Sequence, residues 1–102
     1  MSRIIIRAKS AGVTRREAFD FLGDLAAGET ILTASTVGTL YSGTDPAPAV
    51  VSGSAAISGS IVTQLLTGGV LGCVYSLAIT ITTSLGQTLT KSAYLAIAPE
   101  VV

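Results

Sequence analysis

The chain has 102 residues, six basic and six acidic side chains, one cysteine, no histidine and no tryptophan. That length suits one domain burying about two-thirds of its unfolded surface, and zero net charge excludes the basic face that nucleic acid requires. The missing histidine removes the commonest general base and metal ligand, so no metal site and no cofactor is expected, and a single cysteine closes no internal disulfide.

Residues 1–14 read as an extended N-terminal arm. The triplet Ile4, Ile5 and Ile6 is β-branched and strand-prone, but three isoleucines between Arg3 and Arg7 are too short for a signal-peptide core. Arg3, Arg7 and Lys9 would guard a strand edge with charge. The triplet is a candidate interaction element, placed to add a strand to a neighbouring subunit. The twin arginine Arg15-Arg16 lacks a following apolar core and reads as solvated charge.

Residues 15–102 read as the folded domain. In TRREAFDFLGDLAAGETI, Thr14 and Glu17 have capping-box spacing, and Ala18, Phe21, Leu22 and Leu25 have helical spacing. Phe19 and Phe21 alternating around Asp20 instead suggest a strand. A strand ending near Phe21 and one helical turn over residues 22–27 satisfy both signals. TILTASTV is then strand-like, with Ile31, Thr33, Ser35 and Val37 on one parity. LYSGTDPAPAVV carries the turn formers Gly43, Asp45, Pro46 and Pro48 and reads as a loop into another strand. AAISGSIVTQLL holds two apolar runs about Gly59, and TGGVLG is a turn whose glycines tolerate positive φ.

The last third carries the clearest signal. Tyr75, Leu77, Ile79 and Ile81 share one parity, and Ser76, Ala78, Thr80 and Thr82 share the other, which is the alternation of a half-buried strand. Gly86 marks a hairpin loop. Leu89, Ala93, Leu95 and Ile97 repeat the pattern, with Lys91 as an exception, and Pro99 ends it. A membrane helix needs about twenty predominantly apolar residues without such alternation, and one hairpin cannot close a membrane barrel, so no membrane partner is expected. The strands are therefore predicted at residues 74–82 and 88–97.

Many short strands with little helix make the fold class all-β, an immunoglobulin-like antiparallel sandwich of about seven strands. Tyr75 opens the penultimate strand after a glycine-rich corner, the position of a tyrosine corner. Its hydroxyl is expected to bond backbone between residues 66 and 72; the alternative is a strand-end tyrosine with a hydrated hydroxyl. Cys73 reads as a small buried hydrophobe.

No catalytic set emerges, so the chain reads as a non-enzyme. Serine and cysteine nucleophile systems need a base that is missing. Asp20 and Asp24 could form a carboxylate pair, but solvation or local capping suits them better. TGGVLG lacks the Lys-Ser/Thr of a phosphate loop and precedes a strand. From Pro46 to Thr90 there is no charged residue. A soluble surface normally mixes both signs, so this tract suggests a face that packs on other subunits. Ser76, Ala78, Thr80 and Thr82 are the candidate contact residues.

The ordered motifs FDFLGDLAAGETI, GTDPAP and VTQLLTGGVLGCVYSLAITITTSLGQTLTKSAYLAI, over residues 18–98, resemble the small immunoglobulin-like virion proteins of tailed bacteriophages, the fibre–tail adaptor or neck-associated family. The shared pattern is aromatic-Asp-aromatic, Gly-Glu-Thr-Ile, a Gly-Gly corner, Gly-x-x-Tyr-x-Leu and a Thr-Ser-x-Gly hairpin. Relatives often carry Trp where this chain has Phe21, and the first ten or so residues lie outside the pattern. The resemblance implies a structural virion protein, made in the host cytoplasm, that joins tail fibres or neck and tail components in multiple symmetric copies. The alternatives are a capsid decoration protein and a carbohydrate- or surface-binding module, the latter disfavoured because five aromatic residues offer few stacking platforms.

Overall fold

The computed structural model describes residues 3–5, 9, 10 and 12–98. The strands are β1 (Arg3–Ile5), β2 (Lys9–Ser10), β3 (Arg15–Asp20), β4 (Ile31–Ser42), β5 (Val51–Ser58), β6 (Ile61–Leu66), β7 (Val74–Thr83) and β8 (Thr88–Ala98). One sheet has the order β1-β8-β7-β4, with β2 also on β8, and the other has the order β3-β6-β5. Because β1 and β2 share one edge of β8, the sandwich has seven strand positions, as composition and turn spacing lead one to expect. The arrangement of β3-β6-β5 over β8-β7-β4 is that of an immunoglobulin-like domain.

The segment after β3 resolves the competing signals. Phe19 and Phe21 are buried, and a 3-10 turn follows at Leu22–Asp24. Thr14 and Glu17 form no capping box: Thr14 meets the Thr67 hydroxyl at 2.9 Å, and Glu17 pairs with Arg15. Arg15 is therefore not the freely solvated charge expected. It is opposite Leu66 in the register, and only its neighbour Arg16 is exposed. Asp20 caps locally, accepting from the Leu22 N–H at 2.9 Å and the Ser60 hydroxyl at 3.0 Å.

The core forms between the inward parities of both sheets. Tyr75, Leu77, Ile79 and Ile81 of β7 are fully buried, and Ala93, Leu95 and Ile97 of β8 oppose them together with Val62 and Leu66 of β6. Lys91 shares the inward parity near the start of β8. Its stem passes Phe21, with the amine 5.3 Å from the ring centroid, and emerges to pair with Asp24 at 2.9 Å. A long stem lets the charge leave the core while its methylenes cover it. Cys73 is buried as expected.

Two buried side chains, Gln64 and Lys9, are tied to backbone carbonyls. A register shift in β5 lies between Ser52 and Ala56. Gln64, buried in β6, donates to the carbonyls of Ser52 at 2.8 Å and Gly53 at 3.2 Å, which the bulge takes out of the ladder. Lys9 departs from expectation. Its charge is expected to guard a strand edge, but it is 1 % exposed, and its amine donates to the carbonyls of Gly68 at 2.7 Å and Ser10 at 2.8 Å. Burial, and then the nearby Arg15 charge, lower its pKa. Two carbonyls at the end of the sandwich supply the partners that make burial of the amine tolerable.

Glu29 fastens the loop before β4 to the β7–β8 hairpin. Its carboxylate accepts from the Ala26 N–H at 2.8 Å, the Gln87 amide at 3.0 Å and the Thr83 hydroxyl. These bonds, that from Thr83 foremost and then that from Ala26, hold its pKa below the ordinary 4.5 against the opposing effect of burial. A carboxylate whose folded pKa is depressed stabilises the fold above its unfolded value, and that stability is lost as pH falls through the folded value. Glu29→Gln is therefore expected to melt below the parent at pH 7, and the difference should shrink once the pH drops below 4.5. Thermal melts followed by circular dichroism across pH 3–7 would show it. A constant difference over that range would rule out Glu29 as an acid-sensitive tie.

Candidate interaction surface

The β7–β8 hairpin presents two faces, and each holds residues singled out from the sequence. On the inner face, Tyr75 forms the expected corner. Its hydroxyl accepts from the Val70 N–H at 2.9 Å, within the stretch anticipated, and donates to Asp45 at 2.6 Å. Burial, followed by the hydrogen bond to Asp45, pushes its pKa up to about 12. Asp45 also accepts from the Ala47 N–H at 3.1 Å, so one carboxylate joins the 43–50 loop to the corner. Asp45 reads from the sequence only as a turn former, because nothing local shows that a loop 30 positions upstream ends beside Tyr75. Gly68, Gly69 and Gly72 all have positive φ, as expected of this turn.

On the outer face, Ser76, Ala78, Thr80 and Thr82 form one half-buried stripe along β7. They are flanked by Thr33, Ser35, Val37 and Thr39 of β4 and by Thr88, Thr90, Ser92 and Tyr94 of β8. Hydroxyl contacts cross the sheet, Thr33 to Thr82 at 2.5 Å and Thr80 to Thr90 at 3.1 Å. The rings of Tyr41 and Tyr94 meet over β7 with centroids 4.6 Å apart. No acidic or basic residue lies on this face of β4, β7 or β8. It is an uncharged surface of hydroxyls and methyls with Val37 and Tyr41 exposed.

The remaining predicted contact residues lie apart from this stripe. Ile4 pairs with Ala93 and Ile5 with Tyr94 of the same chain, so the backbone of β1 is separated from β7 by β8. Ile6 lies outside the described residues. Val37 and Tyr41 were missed as surface residues. The expected parity grouped Ile31 with Thr33, Ser35 and Val37, but a register shift between Ile31 and Thr33 breaks it at Leu32. Ile31 therefore faces the core at 8 % exposure, while Val37 faces out at 58 %. An extra residue in one strand reverses the side-chain parity beyond it.

The arrangement offers contact surface and no chemistry that the described residues reveal. Among them no group of three His, Cys, Asp or Glu could hold a metal ion, and no helix is long and apolar enough to cross a membrane. A concavity lies at the Leu22–Asp24 end, where Leu22, Leu25, Ala26, Ile31 and Ile57 line an open groove.

No curated protein matches the chain at a significant level. A family model does match over residues 9–96, spanning the corner, both sheets and the uncharged face. The chain thus belongs to the family described as podophage GP4 fiber-tail adaptor protein gp77.

Proposed function

We propose that this protein is a structural virion subunit that joins tail fibres to the tail through protein–protein contacts alone. Neighbouring subunits pack on the outer face of β4, β7 and β8. The observation that carries this reading is the absence of charge across that whole face. A free surface gains solubility from mixed charge, whereas a surface covered in an assembly would have to desolvate it. Small side chains let two such faces approach closely, and many copies in a symmetric particle turn weak contacts into stable attachment. The partners are other virion proteins, and the working location is the virion.

Ala78→Arg tests the surface. It places a charge at the centre of the stripe without touching the core, so the melting curve should match the parent. Copies per particle, measured by quantitative immunoblot of purified virions, should drop on the order of tenfold or more, because an unpaired buried charge costs several kcal/mol and about 1.4 kcal/mol is a factor of ten. Unchanged incorporation would remove this face from the assembly. Gold labelling of intact particles should mark the tail axis. Label spread over the shell would instead make the protein a capsid decoration.

A further inference from the structure

We infer that the free edge of β4 is a pairing surface for β4 of a second copy of this chain, antiparallel about a two-fold axis at Val37. The described structure protects each of its other sheet edges. An unpaired edge is a template for another strand, and chains that must not pair there blunt it with charge, bulges or a covering segment. The β8 edge is occupied by β1 and β2 of the same chain. The β3 edge carries Arg15, Arg16, Glu17 and Asp20 within six residues. The β5 edge is broken by the register shift between Ser52 and Ala56 and by Gly53 at φ 69°. On β4, by contrast, the register with β7 runs from Thr33 to Leu40 without a shift, and ILTASTVGTLYS has no charge and no proline.

The groups at this edge can be named. The Thr83 N–H donates to the Gln87 carbonyl at 2.9 Å, and the Ile97 N–H donates to the Cys73 carbonyl at 3.0 Å. Antiparallel pairs alternate between bonded and non-bonded, so odd-numbered residues of β7 bond to β8 and even-numbered ones bond to β4. Through the register, Thr33, Ser35, Val37 and Thr39 bond to β7. Ala34, Thr36, Gly38 and Leu40 therefore direct their backbone N–H and C=O groups to the open edge. Among the described residues, no other element takes a backbone hydrogen bond from them.

The second copy is the occupant because the strand is complementary to itself. With the axis at Val37, Gly38 bonds Thr36 and Leu40 bonds Ala34 in each direction. On the outer face Val37 meets Val37, and Ser35 meets Thr39. An uncharged strand opposes no like charges, which cross-strand pairs penalise. Val37, 58 % exposed in the single chain, gains an apolar partner. This inference rests on the proposed role as a multi-copy structural subunit, and it adds a specific edge and register to that role.

Cysteine cross-linking and sedimentation test it on the full chain. In an antiparallel pair, the non-bonded Val37–Val37 positions would have Cα atoms about 4.5 Å apart, within disulfide range. Val37→Cys in a Cys73→Ala background should form an intermolecular disulfide under mild oxidation. Thr80→Cys in the same background, on the outer face but on the central strand, should not. The parent should sediment as a concentration-dependent dimer. Val37→Lys should weaken that dimer at least tenfold with an unchanged melting curve. A parent monomeric at every concentration, or Thr80→Cys linking in place of Val37→Cys, would overturn edge pairing. The latter result would leave packing through the outer face standing. Conversely, a Val37→Cys link combined with normal incorporation of Ala78→Arg would sink the face and leave the edge.

Discussion

Leu77→Asp should leave the chain unfolded at room temperature. Leu77 is fully buried in the middle of β7, opposite Gly38 on β4 and Ala93 on β8. Removing the leucine side chain costs roughly 2–5 kcal/mol in lost transfer and cavity formation. The carboxylate adds several kcal/mol, whether it stays ionised without a partner or takes up a proton to avoid charge. Domains of this size have about 5–15 kcal/mol of stability in total, and one with few residues sits low in that range. Far-UV circular dichroism at 25 °C should lose the strand signal, and no cooperative melt should remain. A melt at the parent temperature would show that the inward parity of β7 has been misassigned.

Gly69→Ala should destabilise the corner by roughly 2–5 kcal/mol, summing left-handed strain and overpacking. Gly69 has φ 94°, and a Cβ built there would stand 2.6 Å from Ile97 Cδ1 and 2.7 Å from its Cγ1, with the Tyr75 ring at 3.5 Å. The isoleucine is itself buried beneath the turn and has little room to withdraw. For a domain of about this size, each kcal/mol lowers the melting temperature by about 4–8 °C. The fall should therefore exceed 8 °C by calorimetry. Gly59→Ala is the control: it shares a positive φ but has nothing within 4 Å of the added Cβ. Equal losses at the two positions would mean that backbone strain alone operates and that the Ile97 contact contributes nothing.

Local pattern carried the hairpin and the core. The alternation through Tyr75, Leu77, Ile79 and Ile81 needs no partner to be read, because a strand with one buried face writes its register into every second residue. The predicted strands at residues 74–82 and 88–97 correspond to Val74–Thr83 and Thr88–Ala98. Tyr75 was legible as a corner because its position relative to the Gly-Gly turn is local. The other bond of its hydroxyl, to Asp45, was not, since it spans 30 positions.

Three features escaped the pattern for separate reasons. The bulge at Leu32 reversed the parity of β4, and no residue type marks a bulge without a partner strand to oppose it. Lys9 reads as edge charge because lysine is almost never fully buried without a partner. Only the packed corner brings the Gly68 carbonyl, 59 positions away, within 2.7 Å of its amine. Glu29 likewise draws its hydroxyl and amide partners from Thr83 and Gln87, more than 50 positions on.

The fold class, the inward face of the closing hairpin, the tyrosine corner and the uncharged character of residues 46–90 are all legible in the amino-acid order alone. These follow from alternation, turn chemistry and composition, which act over a few neighbouring residues. Long-range packing, in contrast, lays β1 and β2 along the chain's own β8 and widens the uncharged stripe of β7 by Val37 and Tyr41 into one surface. It also leaves β4 with an uncharged edge whose register with β7 runs unshifted from Thr33 to Leu40. Those outcomes depend on which strands become neighbours, and that choice is made by burial over the whole chain rather than by any one segment.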